Sequence, residues 1–282
     1  MPMSRHTLSL AGPHPLERLP AWGWLALHAA ALWPHGHWVA TRLMDGSDEP
    51  LGLAALAVLA LALLHLAPGM RPIPRAAWAV ASAVCTGLAT LALFWLPPLL
   101  GALLAALSFG LAVAAWLPEG MPRLPLMGLA LLAMPLVASL QFYAGYPLRV
   151  LTAEVSAWLL QAAGFAAERS GAAMTVAGRL VIVDAPCSGV QLAWLAYFCA
   201  CTAALACRLG DGALLRRMPL VACAVLVGNV LRNSALVALQ ALDAPVGEAL
   251  HEGLGLGVLL AVCAAVLAIV ARRENGQARQ AH

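Results

Sequence analysis

Lysine is absent from this sequence: all 16 basic residues are arginine. Charge of either sign is scarce, at 10% of 282 residues against about 25% in an average soluble domain. That scarcity excludes an ordinary cytosolic enzyme and a disordered chain. A net charge of +3 is too small for a nucleic-acid footprint. Cysteine pairing signals are missing too. The seven cysteines are odd in number, no CxxC spacing occurs, and Cys85, Cys199, Cys201, Cys223 and Cys263 sit inside apolar runs. There they behave as small hydrophobes, which excludes a disulfide framework and a zinc ribbon. The first 20 residues hold no apolar run ending in a small-residue cleavage site, so no secretory signal peptide is expected. No internal repeat is visible, so an inverted-repeat transporter has no direct support.

What is abundant is apolar: 62% of the chain is hydrophobic. A helix needs about 20 apolar residues to cross a bilayer. Eight segments are candidates: 22–41, 51–67, 76–96, 99–117, 124–143, 187–207, 218–242 and 253–271. The first is interrupted by Pro34, His35 and His37. Arginine placement orients them. With the N-terminus in the cytoplasm, 11 arginines lie inside (Arg5, Arg18, Arg71, Arg75, Arg123, Arg208, Arg216, Arg217, Arg272, Arg273, Arg279). Four lie outside: Arg42, Arg149, Arg169 and Arg179. Acidic residues lean outward, among them Asp48, Glu49, Glu154, Asp184 and Asp243. The expected fold is an all-α polytopic membrane protein with about eight spans and both termini cytoplasmic. Residues 1–143 would carry spans one to five, and 144–282 a cap plus spans six to eight. The cap, 144–186, lies outside and is not polar linker. LRVLTAEVSAWLLQAAG has the apolar spacing of an amphipathic surface helix, and AMTVAGRLVIVDAP reads as a short β-hairpin.

Charge inside a span is a functional signal by default. Arg232 is the one charge deep in a span, and Asn229, Asn233 and Gln240 extend a polar stripe from it. Its bland alternative is an arginine that snorkels to the interface. In DAPCSGVQ (184–191), Cys187 opens the sixth span, and Ser188 and Gly189 leave backbone N–H groups open. A helix N-terminus there would lower the thiol pKa; the bland alternative is a packing thiol. His251 stands at the outer start of the last span, before Gly253, Gly255 and Gly257. Alone it would be a capping or surface histidine. His28 and His65 look isolated in spans, and His35 with His37 beside a proline is a slight metal signal. The topology, set without these residues, brings Cys187, Arg232 and His251 to the outer half of three consecutive spans. A thiol nucleophile, a histidine base and a cationic donor are what acyl transfer needs. No metal or cofactor is called for.

At these residues the sequence resembles the exosortase/archaeosortase family of membrane cysteine transpeptidases. The resemblance rests on Cys187-Ser188-Gly189, on Asn229-Val230-Leu231-Arg232, and on His251 followed four residues on by Gly255. Leu151-Thr152-Ala153, Leu159-Leu160, Gly164, Gly178 and Val183 add to it, over roughly 145–262. Pro186 stands where many members have Ala, and Gln191 where many have Arg; these departures bear on the subfamily. The resemblance implies a substrate: an exported protein ending in a short motif such as Pro-Glu-Pro, a transmembrane helix and a basic tail. It also implies roles. Cys187 would form a thioester, His251 would act as acid and base, and Arg232 would stabilise the transition state or fix the substrate motif. Ser188, Gly189, Asn229 and Asn233 would bind substrate. Arginine without lysine, with much Ala, Gly and Pro, points to a GC-rich bacterial genome; the outward-facing site of the cytoplasmic (inner) membrane is then on the periplasmic side, or on the outer face of a single-membrane cell. Two other classes remain open on sequence: a transporter or channel with Arg232 binding an anionic solute, and an inactive membrane assembly factor.

Overall fold

The computed structural model describes residues 19–46, 50–242 and 247–272. Arg5, Arg18, Arg273 and Arg279, the two termini, Asp48, Glu49 and Asp243, and most of the segment read for a signal peptide lie outside the described residues.

The chain forms ten helices and one small sheet among those residues. Five helices are long and apolar enough to cross a membrane: Leu51–Gly69, Ala76–Trp95, Pro98–Trp116, Asp211–Ala241 and Ala249–Ala271. A sixth crossing results if the pair Leu124–Leu132 and Val137–Ala162, bent by 93°, is one span. The count of eight is therefore not reached, for two reasons. The first expected span, 22–41, is broken at Leu32 into α1 (Ala21–Ala31) and α2 (Trp33–Met44). Pro34, lacking an N–H, fits the first turn of a new helix and not the middle of an old one. The sixth, 187–207, is α8 (Val190–Ala206), only 17 residues long. The remaining helices are α3 (Leu51–Leu66), α4 (Ala76–Trp95), α5 (Pro98–Trp116), α6 (Leu124–Leu132), α7 (Val137–Ala162), α9 (Asp211–Ala241) and α10 (Glu248–Ala271).

The bend between α6 and α7 follows from Pro135, which cannot donate into a continuing helix and disfavours helical geometry at Met134. Beyond it α7 runs unbroken for 26 residues, about 39 Å. The expected fifth span and the expected surface helix are thus joined: α7 passes through residue 143 and carries the cap helix as its own second half. The expected hairpin is a three-stranded antiparallel meander: β1 (Ala167–Ser170), β2 (Ala173–Val176) and β3 (Arg179–Ile182). Val176 faces Arg179 across a two-residue turn in which Ala177 and Gly178 both have positive φ, 49° and 79°. That geometry matches the right-handed strand twist. Met174 and Val176 are fully buried against Ala153, Ala157 and Leu160 of α7 and Val237 of α9.

Packing elsewhere uses small residues, as expected where lipid offers no hydrophobic drive between helices. Ala196, Ala200 and Ala204 of α8 meet Val221 and Val225 of α9 and Val262, Val266 and Val270 of α10. Gly228 is needed for this contact, since a Cβ there would lie 2.4 Å from Val262 Cγ2. Cys201 packs in the same manner, its Sγ 2.7 Å from where a Cβ on Gly128 would stand. The outer surface is conversely apolar, with Leu61, Leu64, Phe94 and Trp95 among the exposed side chains. The fold is that of a multi-pass membrane protein.

His28, which looked isolated, is not: its Nε2 lies 3.0 Å from Ser108 Oγ, and Thr86 Oγ1 lies 2.7 Å from the same hydroxyl. His35 is buried and bonds the Ala89 carbonyl at 3.1 Å, while His37 meets the Trp33 ring edge-on. Among the described residues no group of three or more His, Cys, Asp or Glu could hold a metal ion.

Candidate active site

The site is assembled at one end of α7, α8, α9 and α10. Its frame is a seam between α7 and α9, which run parallel here. Asn229 Nδ2 donates to Thr152 Oγ1 at 3.0 Å, and Asn233 Nδ2 to Ser156 Oγ at 3.0 Å. Each rung joins residues 77 apart in sequence, so two hydroxyls one helical turn apart match two amides one turn apart. All four side chains are buried. In a water-poor interior, such groups are costly unless paired. Asn229 Nδ2 also donates to the backbone carbonyl of Cys187 at 2.8 Å. The amide therefore suspends the Cys187 loop from α9.

The loop itself is a 3₁₀ turn, Ala185–Ser188, followed by Gly189 in the left-handed region at φ 84°. A Cβ on Gly189 would lie 3.0 Å from Asn229 Cγ, so the position demands glycine for conformation and for space. Ser188 is buried, donates to Gln141 Oε1 at 2.9 Å and accepts from Val190 N–H at 3.3 Å. Ser188 and Asn233, expected to bind substrate, are thus engaged within the protein. Gln240, the last member of the polar stripe, meets Arg179 through its backbone carbonyl at 3.1 Å.

Arg232 and His251 meet directly, with Arg232 Nη2 3.2 Å from His251 Nε2. Because guanidinium only donates, Nε2 accepts, which places the ring proton on Nδ1. Gly255, one turn below His251, makes room: a Cβ there would lie 3.3 Å from Arg232 Nε. The spacing His251 to Gly255 thus has a steric reason. Beside the pair is a cavity of about 300 Å³ between α8, α9 and α10, lined by Gly189, Gln191, Asn229, Arg232, His251 and Glu252 with leucines below. Among the described residues no hydrogen bond joins Cys187 to His251; the charge of Arg232 is what acts on both.

Cys187 is half-buried, and burial pushes its thiol pKa up. The positive charge of Arg232 and a backbone hydrogen bond at Asp184 pull the other way, while the Asp184 carboxylate adds to the rise. The net direction is upward, which corrects the expected lowering by a helix N-terminus. The reason is positional: α8 begins only at Val190, past the turn at Gly189, so Cys187 is not in its first turn. The resting side chain is accordingly the neutral thiol. Asp184→Asn should therefore lower the thiol pKa and speed alkylation near neutral pH, whereas Arg232→Gln should raise it. The pH dependence of iodoacetamide labelling at Cys187 reads both shifts, and equal profiles in the two variants would refute the electrostatic account.

A family model for transmembrane exosortases matches residues 21–269. The chain belongs to the transmembrane exosortase family. Membership reaches well beyond 145–262, so the N-terminal helices, legible in sequence only as generic spans, are part of this exosortase's family architecture. No curated protein and no solved structure matches the chain.

Thr152, Ser156 and Gln141 escaped the sequence reading as site residues. Thr152 and Ser156 had one available signal, a four-residue spacing equal to that of Asn229 and Asn233. Gln141 had none beyond polarity in an apolar run.

Proposed function

We propose that this exosortase is a membrane-embedded cysteine protease and transpeptidase with Cys187, Arg232 and His251 as its catalytic residues. The observation that carries this reading is the position of one guanidinium, bonded to the imidazole and acting electrostatically on the thiol. The substrate is an exported protein with a C-terminal three-part sorting signal. The protein sits in the cytoplasmic membrane with its termini inside and its site facing outward.

The proposed steps use these three residues in turn. Substrate entering the cavity draws Arg232 away from His251, which frees Nε2. That nitrogen takes the proton from Cys187 Sγ as the sulfur attacks the scissile carbonyl. Charge accumulates on the carbonyl oxygen, where Arg232 donates. Collapse breaks the C–N bond, His251 returns the proton to the leaving amine, and a thioester remains on Cys187. An incoming amine or water then attacks the thioester carbonyl as His251 takes its proton; the C–S bond breaks, and His251 passes the proton to the departing sulfur to regenerate the thiol. Gly189 and Asn229 line the cavity and meet the substrate backbone. Ser188 and Asn233 act by positioning. The apolar bundle limits water and favours an amine acceptor over hydrolysis.

Hydroxylamine tests the acyl-enzyme. Added to membranes that process a reporter ending in Pro-Glu-Pro, a transmembrane helix and a basic tail, it should divert the new C-terminus into a hydroxamate, detected by mass spectrometry. A cleaved reporter bearing only a free carboxylate, at hydroxylamine concentrations that intercept simple thioesters, would remove the covalent step.

A further inference from the structure

At the opposite end of the bundle, one length of α8 or about 25 Å from Cys187, lies a second cavity of about 540 Å³. It is framed by the α8–α9 connection and the C-terminus of α10, and four arginines line it: Arg208, Arg216, Arg217 and Arg272. Arg217 is 8% exposed and fixed. It donates to the carbonyls of Val270 and Arg272, so it caps α10 with its charge retained. Arg208, Arg216 and Arg272 are exposed. The acidic residue in the lining, Asp211, is turned elsewhere. Its Oδ1 accepts the N–H groups of Arg123 and Leu124 at 2.7 and 2.9 Å, and its Oδ2 is 3.9 Å from Arg123 Nη1. Asp211 thus spends its charge on Arg123, and four arginines remain in the lining. Its surroundings are apolar: Leu215 and Leu220 on α9 and Leu267 on α10 are exposed large side chains within two turns of lining residues.

We infer that this cavity binds the phosphate headgroup of an anionic phospholipid, with the acyl chains lying along the exposed leucines. Concentrated positive charge in a pocket between membrane helices at the arginine-rich side is the chemistry that holds such headgroups. A free phosphate would use the same arginines but would have no need of the adjoining apolar surface. The site is separate from the catalytic one and does not rest on the proposed reaction.

Native mass spectrometry of the full chain in neutral detergent tests this, with phosphatidylglycerol, phosphatidylcholine or inorganic phosphate added in turn. Wild type should retain phosphatidylglycerol in preference to phosphatidylcholine. The double variant Arg208→Gln/Arg216→Gln leaves Arg217 and Asp211, which hold the fold, in place. Two arginines near an anionic headgroup amount to roughly a 30-fold change in affinity, so the variant should lose most of the preference. Arg149→Gln/Arg179→Gln, an equal change of charge at the other end, should keep it. Three results would each overturn the assignment. These are equal retention of the two lipids by wild type, an undiminished preference in the Arg208/Arg216 variant, and displacement of phosphatidylglycerol by equimolar inorganic phosphate. The wild-type comparisons decide even if the variant fails to fold.

Discussion

Replacing Cys187 with alanine should abolish reporter processing while leaving the protein folded. The side chain is half-buried and, among the described residues, makes no side-chain hydrogen bond that holds the loop; the loop hangs from its backbone carbonyl on Asn229. Truncation therefore removes the sulfur and little else, at a stability cost of about 1 kcal/mol. Losing a covalent nucleophile costs on the order of 10⁶ in kcat in well-studied hydrolases. Cys187→Ser should be nearly as damaging. A hydroxyl is far less acidic than a thiol, and the site already disfavours the anion through burial. The measurement is the initial rate of reporter cleavage in membranes with equal amounts of each protein, beside a melting curve. Processing by Cys187→Ala at the wild-type rate would make the protein an assembly factor whose activity lies in another chain.

The second large effect falls on Arg232, and it separates two roles that the sequence leaves joined. If the guanidinium stabilises the oxyanion, Arg232→Gln should lower kcat by about 10²–10³ with KM nearly unchanged, as for loss of an oxyanion donor. If it only fixes the substrate motif, KM should rise and kcat hold. The geometry favours the first outcome, because Nη2 already touches the imidazole while the same group acts on Cys187. Arg232→Lys should recover only part of the loss. An ammonium is a point donor without the planar fork that sets Nη2 on His251 while the charge acts on Cys187. A variant with unchanged kcat and KM would take Arg232 out of the mechanism.

What was legible in the sequence follows physical contrast. Arg232 stands out because a charge in an apolar span is costly, and Cys187 and His251 because Gly-rich neighbours and the arginine topology place them at the same end. The reasons for Gly189 and Gly255 became clear only in three dimensions, where each leaves room for a side chain of α9. Thr152, which enters the resemblance only within Leu151-Thr152-Ala153, and Ser156 share the four-residue spacing of Asn229 and Asn233, but that spacing names no partner until the seam is seen. Strand β1 was missed because AERS has neither alternation nor β-branched residues; it is held by pairing with β2 and by Gln161 Nε2 on the Ala167 carbonyl at 2.7 Å. The count of eight spans is not confirmed among the described residues, in part because of prolines and in part because α8 has only 17 residues. Pro147 is tolerated within α7, whereas Pro34 and Pro135 break their helices, and tertiary packing decides which. The thiol's direction of shift failed because helix α8 starts three residues later than the apolar run.

The paired rungs between α7 and α9 limit how these helices can move. A slide of less than a turn would break both rungs in an interior that cannot hydrate the groups they join. A slide of one whole turn, about 6 Å, would bring Ser156 to Asn229 and restore a rung. Since the carbonyl of Cys187 hangs from Asn229, the position of the sulfur is tied to the same register between α7 and α9.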